Sequence, residues 1–205
     1  MGLPPRVSAT TYPIPGAILA GGKSRRMGED KALLQIGGKP LIGRIANVLQ
    51  DVCSEVIIVG GESSKFASVG VRWIPDVVTN QGPLGGIQSA LMHLKTDTVI
   101  SACDLPSITP DLIRFLLSRH DILQSQITVA RSERTIQPLL GVYSSSCLSQ
   151  LNAFLGFGGR KVGEFLDMCQ VTYVPLQATF PPFPDDLLFN LNFPIDSALL
   201  KQNLS

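Results

Sequence analysis

Short runs of consecutive apolar residues, several of them stopped by glycine or aspartate, alternate with stretches of helical period along most of this chain. Gly16-Ala17-Ile18-Leu19-Ala20 ends in Gly21-Gly22, and Val56-Ile57-Ile58-Val59 ends in Gly60-Gly61. Val71-Arg72-Trp73-Ile74, Thr98 to Cys103, Ile127 to Ala130, Leu139 to Tyr143 and Val171 to Val174 are further strand candidates. Between them, Leu41, Ile42, Ile45, Val48, Leu49 and Val52 recur at helical spacing, as do Leu84, Ile87, Leu91 and Leu94. Thr109-Pro110-Asp111 is a helix start, with a capping hydroxyl, a first-turn proline and an acid at the positive end of the dipole. Val162 to Met168 and Asp196 to Lys201 complete the expected helices. A strand that is apolar at every position is covered on both faces, which is the signature of a parallel sheet with helices on either side. The expected fold class is therefore α/β, with a mostly parallel central sheet flanked by helices on both faces. There is no internal repeat. With 205 residues the chain fits one domain, expected over 14–205, preceded by a flexible tail over 1–13.

Charge and cysteine usage narrow the function classes. Seventeen Lys and Arg against sixteen Asp and Glu leave a net +1 with no charge block, which argues against a nucleic-acid or membrane-surface binder. No apolar run approaches the roughly 18 residues of a membrane span, and the first residues lack the apolar core of a secretion signal. Cys53, Cys103, Cys147 and Cys169 form no CxxC, and His93 and His120 stand in no metal motif. The expectation is a cytoplasmic protein without a disulfide framework or zinc site.

In open α/β sheets ligands sit beyond the carboxyl ends of the strands, so the loops after Ala20, Ile74 and Cys103 carry the candidates. The first contains Gly21, Gly22, Lys23, Arg25, Arg26, Gly28 and Lys31, so four cations fall within nine residues of a glycine-rich segment. Glycines let backbone N–H groups turn toward an anion, and a polyphosphate cradle is one reading. A surface turn with solvated basic residues is the other. The segment is not a P-loop: a GxxxxGK[ST] motif ending at Gly22-Lys23-Ser24 needs glycine at position 17, which is Ala17. The second candidate is Asp104, at the end of an apolar strand. A carboxylate there can hold a hard cation that also bridges phosphates, or it can simply form a turn before Leu105-Pro106. The third is Asp76 with Gln81-Gly82-Pro83-Leu84-Gly85-Gly86, where an acid could accept from a sugar or base edge and glycines permit close approach.

LAGGKSRRMGEDKALL, IPD, QGPLGGI, ACDLP, QPLLGVY, GGRKVGEFL and NLNFP occur here in one order. In that order they resemble the molybdenum cofactor guanylyltransferases, over about residues 14–201, with the pattern LAGGxSxRMGxDK complete. The resemblance implies a Rossmann-like nucleotidyltransferase fold and transfer of GMP from GTP to the molybdenum-molybdopterin cofactor, with release of pyrophosphate. It implies nucleotide contacts at Leu19, Ala20, Gly21 and Gly22, phosphate binding by Lys31, a guanosine contact at Asp76, and Mg²⁺ on Asp104. Lys31, Asp104 and Arg25 are then the expected catalytic residues, with the N-terminal half serving GTP and the C-terminal half the pterin. Asn190, Asn192, Arg160 and Lys161 are expected on the pterin side. Two departures stand out: the second strand ends in Gly60-Gly61 where some members carry Asn, and Phe193 replaces the Thr of an NxNTP pattern. Implied partners are GTP, molybdenum-molybdopterin and other cofactor-biosynthesis or acceptor proteins. The rival readings are a cytidylyltransferase of the same cofactor, a sugar-phosphate nucleotidyltransferase, and a nucleotide- or cofactor-binding module without turnover.

Overall fold

The computed structural model describes residues 12–21, 31–179 and 182–188. Its centre is a seven-stranded sheet in the order β5-β4-β1-β6-β8-β7-β9. These strands are β1 (Gly16–Leu19), β4 (Val56–Val59), β5 (Arg72–Ile74), β6 (Thr98–Ala102), β7 (Ile127–Arg131), β8 (Ile136–Tyr143) and β9 (Val171–Pro175). β1 pairs in parallel with both β4 and β6, β4 with β5, and β7 with β9. β8 runs antiparallel to both of its neighbours. It has to, because a tight connection closed by Ser132 N–H donating to Thr135 O (2.8 Å) returns the chain from β7 with no crossover helix. Gly141 of β8 is obligatory there, since a Cβ would fall onto Thr128 O and within 2.9 Å of Val129 Cγ1.

The continuous apolar strands alternate between two cores, as burial on both faces demands. Ile18, Ile58 and Val99 face one core with helices α1 (Leu41–Gln50) and α4 (Pro110–Leu123). Ala17, Leu19, Ile57, Val59 and Ile100 face the other, with α3 (Gly82–Leu94), α5 (Leu148–Gly156) and α6 (Val162–Leu166). Each buried Leu or Ile contributes about 2 kcal/mol by removal from water. The cap of α4 forms as its sequence dictates: Thr109 Oγ1 accepts from Leu112 N–H (3.3 Å), ahead of Pro110 and Asp111.

Three elements lie outside the sequence expectation. Gln35–Ile36 (β2) and Lys39–Pro40 (β3) form a hairpin turning on Gly37 and Gly38, both at positive φ. That Gly-Gly between short strands is a legible hairpin signal. Leu34 O accepts from Leu41 N–H (2.9 Å), so the hairpin satisfies an α1 amide that Pro40 cannot cap. The others are the single turn α2 (Ser63–Phe66) and α5, although Leu148, Leu151 and Leu155 stand at helical spacing. Of the expected tail, Tyr12 and Pro13 are described, and Tyr12 N–H donates to Val52 O (2.8 Å), which ties that end of the segment to the connection between α1 and β4. The remainder of 1–13 and the expected helix over 196–201 lie outside the described residues. Among the described residues no helix is long and apolar enough to cross a membrane.

Candidate functional site

β1, β4, β5 and β6 are adjacent and parallel, so the loops that follow them emerge along one rim. Backbone bonds pin the strand ends. Ala20 N–H donates to Val59 O (2.9 Å) and Gly60 N–H to Ile74 O (3.0 Å). Beyond these bonds three loops press together with no room for side chains. A Cβ on Gly21 would stand 3.3 Å from Asp76 Oδ2 and 3.7 Å from Gly60 Cα. A Cβ on Gly60, whose φ is +78°, would stand 2.9 and 3.2 Å from the two carboxylate oxygens of Asp76 and 3.2 Å from Gly21 Cα. Asp76 is thus seated against the glycine turns that follow β1 and β4. Half-burial pushes its pKa upward.

The segment after Asp76 is fixed to α3. Val77 N–H donates to Ser89 Oγ (2.8 Å), and that buried hydroxyl donates to Gly85 O (2.7 Å). α3 in turn lies tight on β1, since a Cβ on Gly86 would reach 3.1 Å from Leu19 Cδ2. Gly86 therefore sets how closely α3 approaches β1.

Asp104 follows β6 in a turn held by the buried side chains of Leu105 and Ile108. Burial raises its pKa, while the positive charge of Lys31 and its own backbone N–H pull it back. Lys31 opens a short 3-10 turn whose next residue, Ala32, is fully buried among the α1-side core residues. Lys31 and Asp104 are thus electrostatic neighbours although they lie far apart in sequence. Among the described residues no three His, Cys, Asp or Glu are grouped to hold a metal ion. A single carboxylate beside a polyphosphate suits Mg²⁺, which typically takes one or two protein carboxylates and fills its sphere with water and substrate oxygens.

Gly22 and Arg25, together with Asn190, Asn192 and Phe193, lie outside the described residues. Arg160 and Lys161 follow α5. That helix packs against α3 through Gln88 Nε2 donating to Asn152 Oδ1 (2.7 Å). Arg160 caps α5 by donating to Leu155 O (3.0 Å) and Gly159 O (2.6 Å). Lys161 pairs with Glu164 (2.8 Å), whose hydrogen bond and charge raise the Lys161 pKa. The sequence alone gives Ser89 no role and reads Trp73 as a core or edge residue, yet both hold the rim loops. Neither carries a motif, and only the fold reveals their partners. His120 is structural: its ring nitrogens meet Thr128 Oγ1 (3.0 Å) and Asp97 Oδ2 (3.4 Å), beyond the amino end of β6.

Comparison with known proteins shows which family the chain resembles. A protein of Pelotomaculum thermopropionicum described as "Probable molybdenum cofactor guanylyltransferase" is 39% identical over 160 residues, 78% of this chain and 77% of that protein. One of Nostoc sp. with the same description is 32% identical over 190 residues, 90% of this chain and 88% of that protein. The crystal structure of molybdopterin-guanine dinucleotide biosynthesis protein A from Archaeoglobus fulgidus superposes with a TM-score of 0.80 at 24% identity, covering 93% of this chain and 98% of that one. A family described as "MobA-like NTP transferase domain" matches residues 16–169. The chain belongs to that family, and it is a nucleotidyltransferase with the family's Rossmann-like fold.

Proposed function

We propose that the protein transfers GMP from GTP to the molybdenum-molybdopterin cofactor and releases pyrophosphate. The observation that carries the reading is the placement of Gly21, Asp76 and the Lys31–Asp104 pair around the carboxyl ends of adjacent parallel strands. The guanylyltransferase description of its relatives supplies the base and the acceptor.

The chemistry asks for neutralised charge and alignment. The attacking group is the terminal phosphate of molybdopterin, a monoester whose second pKa is about 6, so it is mostly ionised at neutral pH and needs no general base. This fits a rim where the described residues supply carboxylates and a lysine, with His120 engaged in structure elsewhere. A phosphate oxygen of the pterin forms a bond to the α-phosphorus of GTP. The bond from that phosphorus to the bridging oxygen of the β-phosphate breaks, and its electron pair leaves with pyrophosphate. Lys31 binds the phosphates, Asp76 accepts from the guanosine, and the backbone at Leu19, Ala20 and Gly21 lies under the nucleotide. Asp104 would hold Mg²⁺, which would supply positive charge to offset that of the phosphates. Repulsion between two polyanions is the main barrier, so such groups contribute most of the rate. In this reading 14–205 is one domain, with GTP at the rim of β1, β4, β5 and β6 and the pterin toward the C-terminal half. On the same reading the protein works in the cytoplasm.

The test is product formation by purified protein with Mg²⁺, molybdopterin and either GTP or CTP. Molybdopterin guanine dinucleotide and pyrophosphate are expected from GTP. Preferential use of CTP would overturn the guanylyl assignment, and binding of GTP without any turnover would leave a binding module.

A further inference from the structure

Gly60 is held entirely by β5. Its N–H donates to Ile74 O (3.0 Å), and its carbonyl accepts from the indole Nε1–H of Trp73 (2.8 Å). The residue between these anchors and the rim sits at φ +78° with its Cα side against both Asp76 carboxylate oxygens and Gly21. The next residue, Gly61, sits at φ +68°, where a Cβ would meet Phe66 Cε2 at 3.0 Å and Ala20 O at 3.2 Å. The end of β4 is thus a two-glycine wedge between the β1 and β5 loops. Neither glycine has a side chain to hold itself, and both occupy backbone conformations that glycine leaves easily. Trp73 supplies the missing restraint from outside. It lies on β5 with its ring packed against the α1-side core, whereas Ile74 faces the α3-side core.

We propose that Trp73 is a positioning residue of the nucleotide site: by holding the Gly60 carbonyl, its indole N–H fixes the Gly60–Gly61 wedge against Gly21 and Asp76 and thereby sets affinity for the nucleotide. This rests on the reading that the rim binds a nucleoside triphosphate. The end of β4 is then a backbone wall held from behind. The pterin side is not expected to sense it.

Trp73 is the sole tryptophan of the chain, which makes the test direct. Three measurements on the full-length protein address it. In Trp73→Phe, the KM for GTP should rise about fivefold, the loss expected for one hydrogen bond, while the KM for molybdopterin and kcat stay within about twofold. Replacing Trp73 by benzothienylalanine keeps the ring shape and exchanges N–H for sulfur, so it should reproduce that rise even where Phe disturbs packing. In the unsubstituted protein, saturation with Mg-GTP should change Trp73 emission. A correctly folded variant with an unaltered KM for GTP, or emission indifferent to saturating nucleotide, overturns the inference. A protein that prefers CTP would sink the guanylyl reading alone, and the same three measurements would then be made with CTP.

Discussion

Strand β6 carries an aspartate at each end, and the two live in opposite circumstances. Asp97, just before the strand, accepts from Ser145 N–H (2.8 Å) and Ser145 Oγ (3.3 Å) on one oxygen and lies 3.4 Å from His120 Nε2 on the other. Burial alone would raise its pKa, but the bonds from Ser145, Ser144 and His120, with the His120 charge, bring it below the usual carboxylate value. Asp104, just after the strand, is more deeply set and is raised by burial, with only partial relief from Lys31 and its own N–H. The fold has used the charge of Asp97 to join β6, the segment after β8, and α4. At Asp104 it keeps a carboxylate whose charge the described residues offset only in part. A group held at such a cost to the folded state is available to a ligand.

The sharpest break between the two ends should appear in turnover. Lys31→Ala and Asp104→Ala are each expected to lower kcat/KM for GTP by at least about tenfold, the lower end of what removing one transition-state charge partner costs. The far-ultraviolet circular dichroism of both should stay unchanged. Asp97→Ala should leave kcat/KM within about twofold. Near-normal turnover in either rim variant would remove the roles assigned there, and a large loss in Asp97→Ala would erase the distinction between the two ends.

Stability should reverse that order. Asp97→Ala leaves the Ser145 N–H without its acceptor and the His120 ring without a partner on Nε2. The expected cost is about 1–2 kcal/mol, or a fall of about 3–6 °C in melting temperature for a chain of this size. The pH dependence carries a sign. A carboxylate with a lowered folded pKa stabilises above its unfolded value, and that contribution disappears as pH falls through the folded one. Acidification below the ordinary value of 3.8 should therefore erode the difference between the original protein and Asp97→Asn. Melting curves from pH 6 down to about pH 2.5 would check this, and a gap that does not narrow would refute it.

The same contrast explains what could be read from the residues alone. Unbroken apolar runs located β1, β4 and β6, which are buried on both faces, and short runs rich in β-branched or aromatic residues marked the other sheet strands, including the edge strands β5 and β9. Glycine and aspartate at the strand ends pointed to the rim, since close packing of the loops demands glycine and ligands in such sheets sit beyond the carboxyl ends of the strands. The direction of β8 was not legible, because it depends on a short connection whose length carries no periodicity. Nor was the Asp97–His120 network, in which Asp97, Ser145, His120 and Thr128 come from separate segments with no motif. Trp73 read as an ordinary core or edge residue, since a hydrogen bond to a glycine carbonyl 13 positions away leaves no trace in composition.

The smallest effect is the most diagnostic, because it has the opposite sign from its partner. In the protein without ligand, Asp104 has a raised folded pKa, so the folded state binds the proton more tightly than the unfolded state does. Its ionisation therefore removes stability as pH rises through the window from 3.8 upward to the folded value. Asp104→Asn abolishes that ionisation while keeping the shape of the side chain. At neutral pH the variant should melt slightly higher than the original protein, by about 1–3 °C, and the difference should vanish near pH 4. Added Mg-GTP should then invert the ranking, because a ligand stabilises only the form that binds it. If Asp104→Asn instead melted well below the original protein at neutral pH, Asp104 would be a structural carboxylate like Asp97, and the two ends of β6 would not differ in kind.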